Sequence, residues 1–153
     1  QAEDGIRDRS PSRGSEMCIR DSLKGLQGHS DADVLVHAVM DAALGALALG
    51  DIGQYFPDTD EKFKDAISME LLGHVQCLVE EEGFVCTNLD SIIMAEKPKM
   101  APHLMEMRTN LASALKIKTE QVSIKATTTE RLGVIGREEG IAAQAIVLLN
   151  SMT

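Results

Sequence analysis

A chain of 153 residues with 44% hydrophobic and only 3% aromatic content has matter for one domain, and its core must be aliphatic with methionine filling gaps. The net charge of −9 argues against broad nucleic-acid binding, which needs a basic surface against phosphates, and no apolar run approaches the ~18 residues of a membrane span. Residues 1–23 hold five acids and four arginines, so the acidity belongs to the remainder, where 19 acids face 11 bases, and any anionic ligand needs a local device such as helix amides, a metal ion, or one Lys or Arg.

In chain order, the first 22 residues, "QAEDGIRDRSPSRGSEMCIRDS", are rich in Arg, Asp, Ser and Gly, with no apolar period. They read as translated sequencing adapter, a disordered natural tail being the alternative, and are set aside from the fold. The native protein is then expected to begin upstream of Leu23. Ser30 followed by Asp33 forms an S-x-x-D capping box, which predicts a helix from about Asp31 to Leu49, stopped by Gly50. "DIGQYFPDTDEKFK" reads as a loop, and Ser68 as the cap of a second helix running to Glu82 and closed by Gly83. "FVCTNLDSIIMAEK" predicts a long strand. "PKMAP" breaks it, and Pro102 suits the first position of a third helix reaching about Lys116. "QVSIKATTT" predicts a strand alternating at Val122, Ile124 and Ala126; after the loop "ERLGVIGREEG" comes a last strand, "IAAQAIVLL". The class is α+β, a mixed sheet with helices packed on one face. Cys18, Cys77 and Cys86 form no C-x-x-C pair, and Cys77 and Cys86 read as small core residues with free thiols.

The chemistry-bearing residues follow the same order. Asp33, His37 and Asp41 are spaced i, i+4, i+8 on one helix face, where an acid could take the second ring proton of His37 and orient it toward a metal. A histidine hydrogen-bonded at a helix surface would read the same, and one His does not supply the three protein ligands of a zinc site. His29 and Ser30 lie at the helix mouth, where free amides favour a phosphate, although Ser30 as a plain cap explains the residue equally. Asp51, Asp58 and Asp60 could accept hydrogen bonds from ribose or polyol hydroxyls, or simply line a solvated turn. The hydroxyls and carboxylate of "TTTE" could hold phosphates and a hard divalent cation, and Arg137 could supply a phosphate fork.

Taken together, "GHSDADVLVHAVMDAALGALALGDIGQYFPDTD", "AEKPKMAPH", "IKATTTERLG" and "GREEGIAAQAIVLL" resemble, colinearly over 24–153, the 2-C-methyl-D-erythritol 2,4-cyclodiphosphate synthase family of non-mevalonate isoprenoid synthesis. The resemblance implies a chorismate-mutase-like, ferredoxin-like subunit of a homotrimer, with active sites between neighbouring subunits. It implies that 4-diphosphocytidyl-2-C-methyl-D-erythritol 2-phosphate is cyclised with release of CMP, assisted by zinc (Zn²⁺) and by Mg²⁺ or Mn²⁺. It places His37 as a zinc ligand and Glu130 near the second cation. His29 and Ser30 would contact the methylerythritol phosphate end, and His29 and Thr128 would stabilise the transition state, with Thr127 and Thr129 binding substrate beside Thr128. Asp51, Ile52 and Gly53 would hold ribose and substrate hydroxyls, and Phe56, Pro57, Asp58, Thr59 and Asp60 would cover the methylerythritol. Ala95, Glu96, Lys97, Pro98, Lys99, Met100 and Ala101 would read cytosine through their backbone, and Arg137 would contact substrate. Val134 stands where the family commonly has an aromatic.

One departure matters. The family's first strand carries an Asp-x-His pair that supplies two further zinc ligands, and no such pair precedes His29 here. The domain is therefore expected over 23–153 without its first strand and hairpin, and a non-catalytic trimeric relative that keeps nucleotide binding is the competing reading. A hydrolase is disfavoured, because no residue stands out as a base for water. The expected location is cytoplasmic for a bacterial chain and plastid for one from a plant or alga.

Overall fold

The computed structural model describes residues 33–57, 59–63 and 66–152. Residues 1–22, His29, Ser30 and Asp58 lie outside them. Helix α1 is Val34–Ala46. It starts later than the expected Asp31, because Asp33 is the N-cap: Oδ1 accepts a hydrogen bond from Val36 N at 3.1 Å, satisfying an amide that has no partner within the helix. It also ends earlier than Leu49. Ala48 takes a left-handed φ of 57°, and Leu49 N turns back onto Leu44 O at 3.0 Å, which closes the last turn before Gly50 is reached.

The segment read as a loop contains one short helix, α2 (Ile52–Tyr55), and a 3₁₀ turn over Glu61–Phe63. Helix α3, Ser68–Glu81, has Ile67 as its N-cap, so Ser68 is the first helical residue and not the cap. The chain leaves it through Gly83, whose φ of 81° is glycine's territory. Cys77 on α3 is exposed, contrary to the core reading, whereas Cys86 is buried and its burial pushes the thiol pKa up.

Strand β1 is Phe84–Met94, α4 is Leu104–Ala114, β2 is Val122–Thr127, α5 is the single turn Gly133–Gly136, and β3 is Ala142–Ser151. Pro102 sits in a 3₁₀ turn, Ala101–His103, that leads into α4, so the helix proper starts just after it and stops at Ala114. Among the described residues the sheet has the order β2-β1-β3, with β1 parallel to β2 and antiparallel to β3. The parallel pair requires a crossover, which α4 supplies. The mixed sheet and its helices agree with the α+β expectation.

Burial shows which sheet face the helices cover. Leu89, Ile93, Ile124 and Val147 are buried with the apolar faces of α1, α3 and α4. Lys125, Ile146 and Leu148 lie on the other face and are exposed. Ala126 does not follow the expected alternation and is exposed. β1 carries a bulge: Cys86 pairs with Leu149 and Asn88 with Leu148, leaving Thr87 as the extra residue. The inward parity therefore changes, from Cys86 to Leu89, Ser91 and Ile93. On the open face Lys125 Nζ lies 2.6 Å from Asp90 Oδ2, and that hydrogen bond holds the Asp90 carboxyl below its ordinary range.

Leu89 is fully buried at the centre of the middle strand. Leu89→Ala is expected to cost ~2–5 kcal/mol, read as a lowered urea midpoint with an unchanged slope.

Candidate active site

The structure collects the candidate residues in two groups. The first surrounds the outer face of α1. His37 is half-buried, and its Nε2 lies 3.0 Å from the hydroxyl of Ser68, a residue with no exposed surface. A hydroxyl on the next long helix is thus a partner of this ring, where the sequence pointed to acids of the same helix. Those acids have structural work: Asp33 caps α1, and Asp41 Oδ1 accepts from Ile52 N at 2.9 Å, which ties the 51–56 segment to the helix. Asp51 Oδ1 caps α2 through Gln54 N at 3.2 Å, and Asp60 Oδ1 accepts from Lys62 N at 2.9 Å. Both carboxylates remain exposed, as do Gly53 and Thr59, while Ile52, Phe56 and Pro57 are half-buried. The Phe56 ring packs edge-on against Phe63, centroids 5.4 Å apart, which sets the course of this loop.

The second group lies at the C-terminal ends of the parallel strands. Met94 pairs with Thr127, and Ala95 N donates to Thr127 O at 3.0 Å, so the loop 95–101 and the turn after β2 leave the sheet side by side. Glu96 Oε1 accepts from Thr129 N at 3.2 Å and from Arg131 N at 2.8 Å. The turn itself is tight: Thr128 Oγ1 donates to Glu130 Oε1 at 3.3 Å, Glu130 and Arg131 take left-handed φ values of 52° and 65°, and Thr129 Oγ1 donates to Leu132 O at 2.8 Å. Gly136 lies so close to the Arg131 backbone that a Cβ there would collide with it. Lys97 Nζ reaches Glu138 Oε1 at 3.0 Å, joining the loop that carries Arg137.

Within this group Thr127, Thr128 and Glu130 are exposed and Thr129 is half-buried. Lys97, Lys99 and Ala101 are exposed, Pro98 is half-buried, and Ala95 and Met100 are buried, anchoring the loop. Arg137 presents its fork to Glu139, Nε to Oε1 at 2.9 Å and Nη2 to Oε2 at 3.0 Å, and this carboxylate raises the guanidinium pKa further. The pair is exposed, so it holds little free energy, and a phosphate could replace the carboxylate in the same bidentate geometry.

Three residues with a part in the site were not singled out by the sequence for the roles they have. Ser68 reads as a helix cap, Asp41 as a histidine partner, and Glu96 as one member of a backbone-reading loop. No local pattern marks any of these bonds, which span 11 to 35 residues.

Among the described residues no group of three or more His, Cys, Asp or Glu side chains is arranged to hold a metal ion. His37 is a single imidazole, so the described residues do not complete a tetrahedral zinc site. The Glu130 carboxylate beside the Thr128 hydroxyl is a hard oxygen set of the kind that holds Mg²⁺ together with substrate phosphates.

The fold and these loops define an α+β protein whose oxygen-rich candidate residues gather beside its first long helix and at one end of a mixed sheet. The sequence model of the YgbB family matches residues 16–150, and the chain belongs to that family. That match begins inside the stretch set aside as adapter. A relative from Chlorobium phaeobacteroides (strain BS1), named 2-C-methyl-D-erythritol 2,4-cyclodiphosphate synthase, is 61% identical over 126 residues, which are 82% of this chain and 79% of the relative. The structure of a bifunctional IspDF from Campylobacter jejuni superposes with a TM-score of 0.80 at 49% identity; the match covers 83% of this chain but only 34% of that longer one. A CDP complex of IspF from Plasmodium falciparum gives a TM-score of 0.73 at 31% identity, covering 83% and 76% of the two chains.

Asp41→Ala removes the acceptor for the Ile52 amide. It is expected to cost about 1 kcal/mol and to speed amide exchange over 51–56 while α1 stays protected, as read by hydrogen-exchange mass spectrometry.

Proposed function

We propose that this chain carries the synthase domain that cyclises 4-diphosphocytidyl-2-C-methyl-D-erythritol 2-phosphate to 2-C-methyl-D-erythritol 2,4-cyclodiphosphate and releases CMP, full activity requiring an Asp-x-His strand ahead of His29. The observation that carries the reading is the turn presenting Thr128 and Glu130, held directly against the 95–101 loop, in a chain whose relatives bear that synthase's name. The CDP complex among similar structures supports a cytidine nucleotide as the ligand class.

An oxygen of the 2-phosphate attacks the β-phosphorus, the bond from that phosphorus to the bridging oxygen breaks, and CMP leaves with the bridging oxygen and its electron pair. No water and no protein nucleophile enters, so the protein's task is to align the two phosphates and stabilise the spreading charge. Thr128 turns its hydroxyl from Glu130 to the reacting phosphates, Thr127 and Thr129 flank it, and Arg137 exchanges Glu139 for a phosphate. His29 and Ser30, outside the described residues, serve the methylerythritol phosphate. Asp51, Ile52 and Gly53 take the hydroxyls, and residues 56–60 cover the polyol. The backbone of Ala95–Ala101 reads the cytosine, which accounts for base recognition without an aromatic clamp.

Mg²⁺ or Mn²⁺ at Glu130 would neutralise diphosphate charge when bound. His37 is the one zinc ligand carried over to the described residues. The cytoplasmic location of a bacterial chain goes with this reading, and among the described residues no helix is long and apolar enough to cross a membrane. A homotrimer goes with it too: Ile146 and Leu148, 68% and 58% exposed on the uncovered sheet face, are the apolar surface that subunits would bury.

Three outcomes test the reading. In a chain given an Asp-x-His strand ahead of His29, CMP should be released from the diphosphocytidyl substrate, and Thr128→Ala should lower kcat by roughly 10²-fold or more, followed by chromatography of CMP. The 153-residue chain itself should bind zinc substoichiometrically and turn over little substrate; stoichiometric zinc with rapid CMP release would contradict the assigned ligand set. Leu148→Asp should shift the sedimenting species from trimer toward monomer.

A further inference from the structure

We propose that Glu96 is a positioning residue that makes the loop 95–101 and the turn 128–131 a single mechanical unit. This rests on the proposed function only for what those two segments bind. The geometry stands without it. One carboxylate oxygen, Oε1, accepts both the Thr129 and the Arg131 amide, at 3.2 and 2.8 Å. β2 ends at Thr127, where regular pairing with β1 stops at Met94 and one further bond, Ala95 N to Thr127 O, extends it. Past that point the two segments have left the ladder, and the Glu96 side chain takes the place of a strand partner.

The turn depends on such a partner. Glu130 and Arg131 are consecutive non-glycine residues at positive φ, a conformation that persists only where the surroundings over-determine it. The acceptor oxygen engages amides on either side of Glu130 and so holds the residue that carries the candidate cation ligand. Thr128, whose hydroxyl bonds to Glu130, is fixed with it. On the other side of the clamp, Ala95 and Met100 are buried and anchor the loop. A ligand that orders the loop therefore orders the turn, and cytosine recognition at one end is transmitted to the phosphate-facing residues at the other.

The clamp requires an oxygen at that position and not a charge, since one atom accepts both bonds. Glu96→Gln keeps an acceptor oxygen and Glu96→Ala removes it. The test is amide exchange by NMR on the full 153-residue chain, with and without CDP as the probe. In Glu96→Ala the Thr129 and Arg131 amides should exchange about tenfold faster than in the parent, as expected for loss of one hydrogen bond of about 1.4 kcal/mol, while Glu96→Gln recovers most of the protection. Adding CDP should slow exchange in both segments of the parent and of Glu96→Gln, but only in 95–101 of Glu96→Ala. Unchanged exchange at the two amides in Glu96→Ala overturns the clamp, and so does failure of Glu96→Gln to recover protection. A parent that ignores CDP overturns the nucleotide reading instead, while the ligand-free rates still decide the clamp.

Discussion

Strand β1 is hydrogen-bonded along both edges, parallel to β2 and antiparallel to β3, and this double pairing decides where the polar loops meet. Because β1 and β2 run in the same direction, their C-terminal ends lie together, and the segments 95–101 and 128–131 emerge as neighbours. Because β3 runs the other way, its beginning, at Ala142 opposite Met94, brings the Arg137 loop to the same end. Ligands at the carboxyl ends of parallel strands are common in α/β sheets, and here the candidate residues gather at the end of a single parallel pair. The buried face of the same strand, through Leu89 and Ile93, ties that end to the helices, so the position of the loops is set by the core.

On the proposed reading a chain of net charge −9 has to hold an anionic substrate. Two of the bases near the site are already in ion pairs, Lys97 with Glu138 and Arg137 with Glu139. Exposed pairs of this kind are worth little, so exchanging a carboxylate for a phosphate costs little. On the proposed reading the acidic body offers no broad attraction for polyanions, and binding would depend on geometry: backbone amides, threonine hydroxyls, a guanidinium and a divalent cation. Such a site favours a compact diphosphate that fits over one that is only highly charged.

The acids on and around α1 show how much of a site is internal support. Asp33, Asp41, Asp51 and Asp60 each accept a backbone amide, capping α1, tying the 51–56 segment, capping α2 and closing the turn from Asp60 to Lys62. The acid-rich run that reads as hydroxyl-binding is thus also the scaffold that holds its own loops, and the carboxylates of Asp51 and Asp60 each keep a second oxygen beyond the one that holds the loop.

The sequence by itself determined the long elements and their order, though not the short helices over 52–55 and 133–136: aliphatic periodicity for helices placed at about 31–49 and 68–82, long apolar runs for β1 and β3, and the motifs "KATTTE" and "DIGQYFPDTD" that mark the family. These are local properties, decided by residue spacing and propensity within a dozen residues. Tertiary structure decided what spacing does not encode. The extra residue Thr87 changes which side of β1 faces the core, Ser68 is turned inward to meet His37 from another helix, and Glu96 bridges two turns 35 residues apart to bond the Arg131 amide. Helix ends at Asp33 and Ala46 were likewise settled by which amide found a partner and where Leu49 could reach back to Leu44. The bulge, the Ser68 contact and the Glu96 bridge are choices between segments distant in the chain, and their free energy exists only once the core has brought those segments together, whereas the helix ends rest on bonds within a single turn.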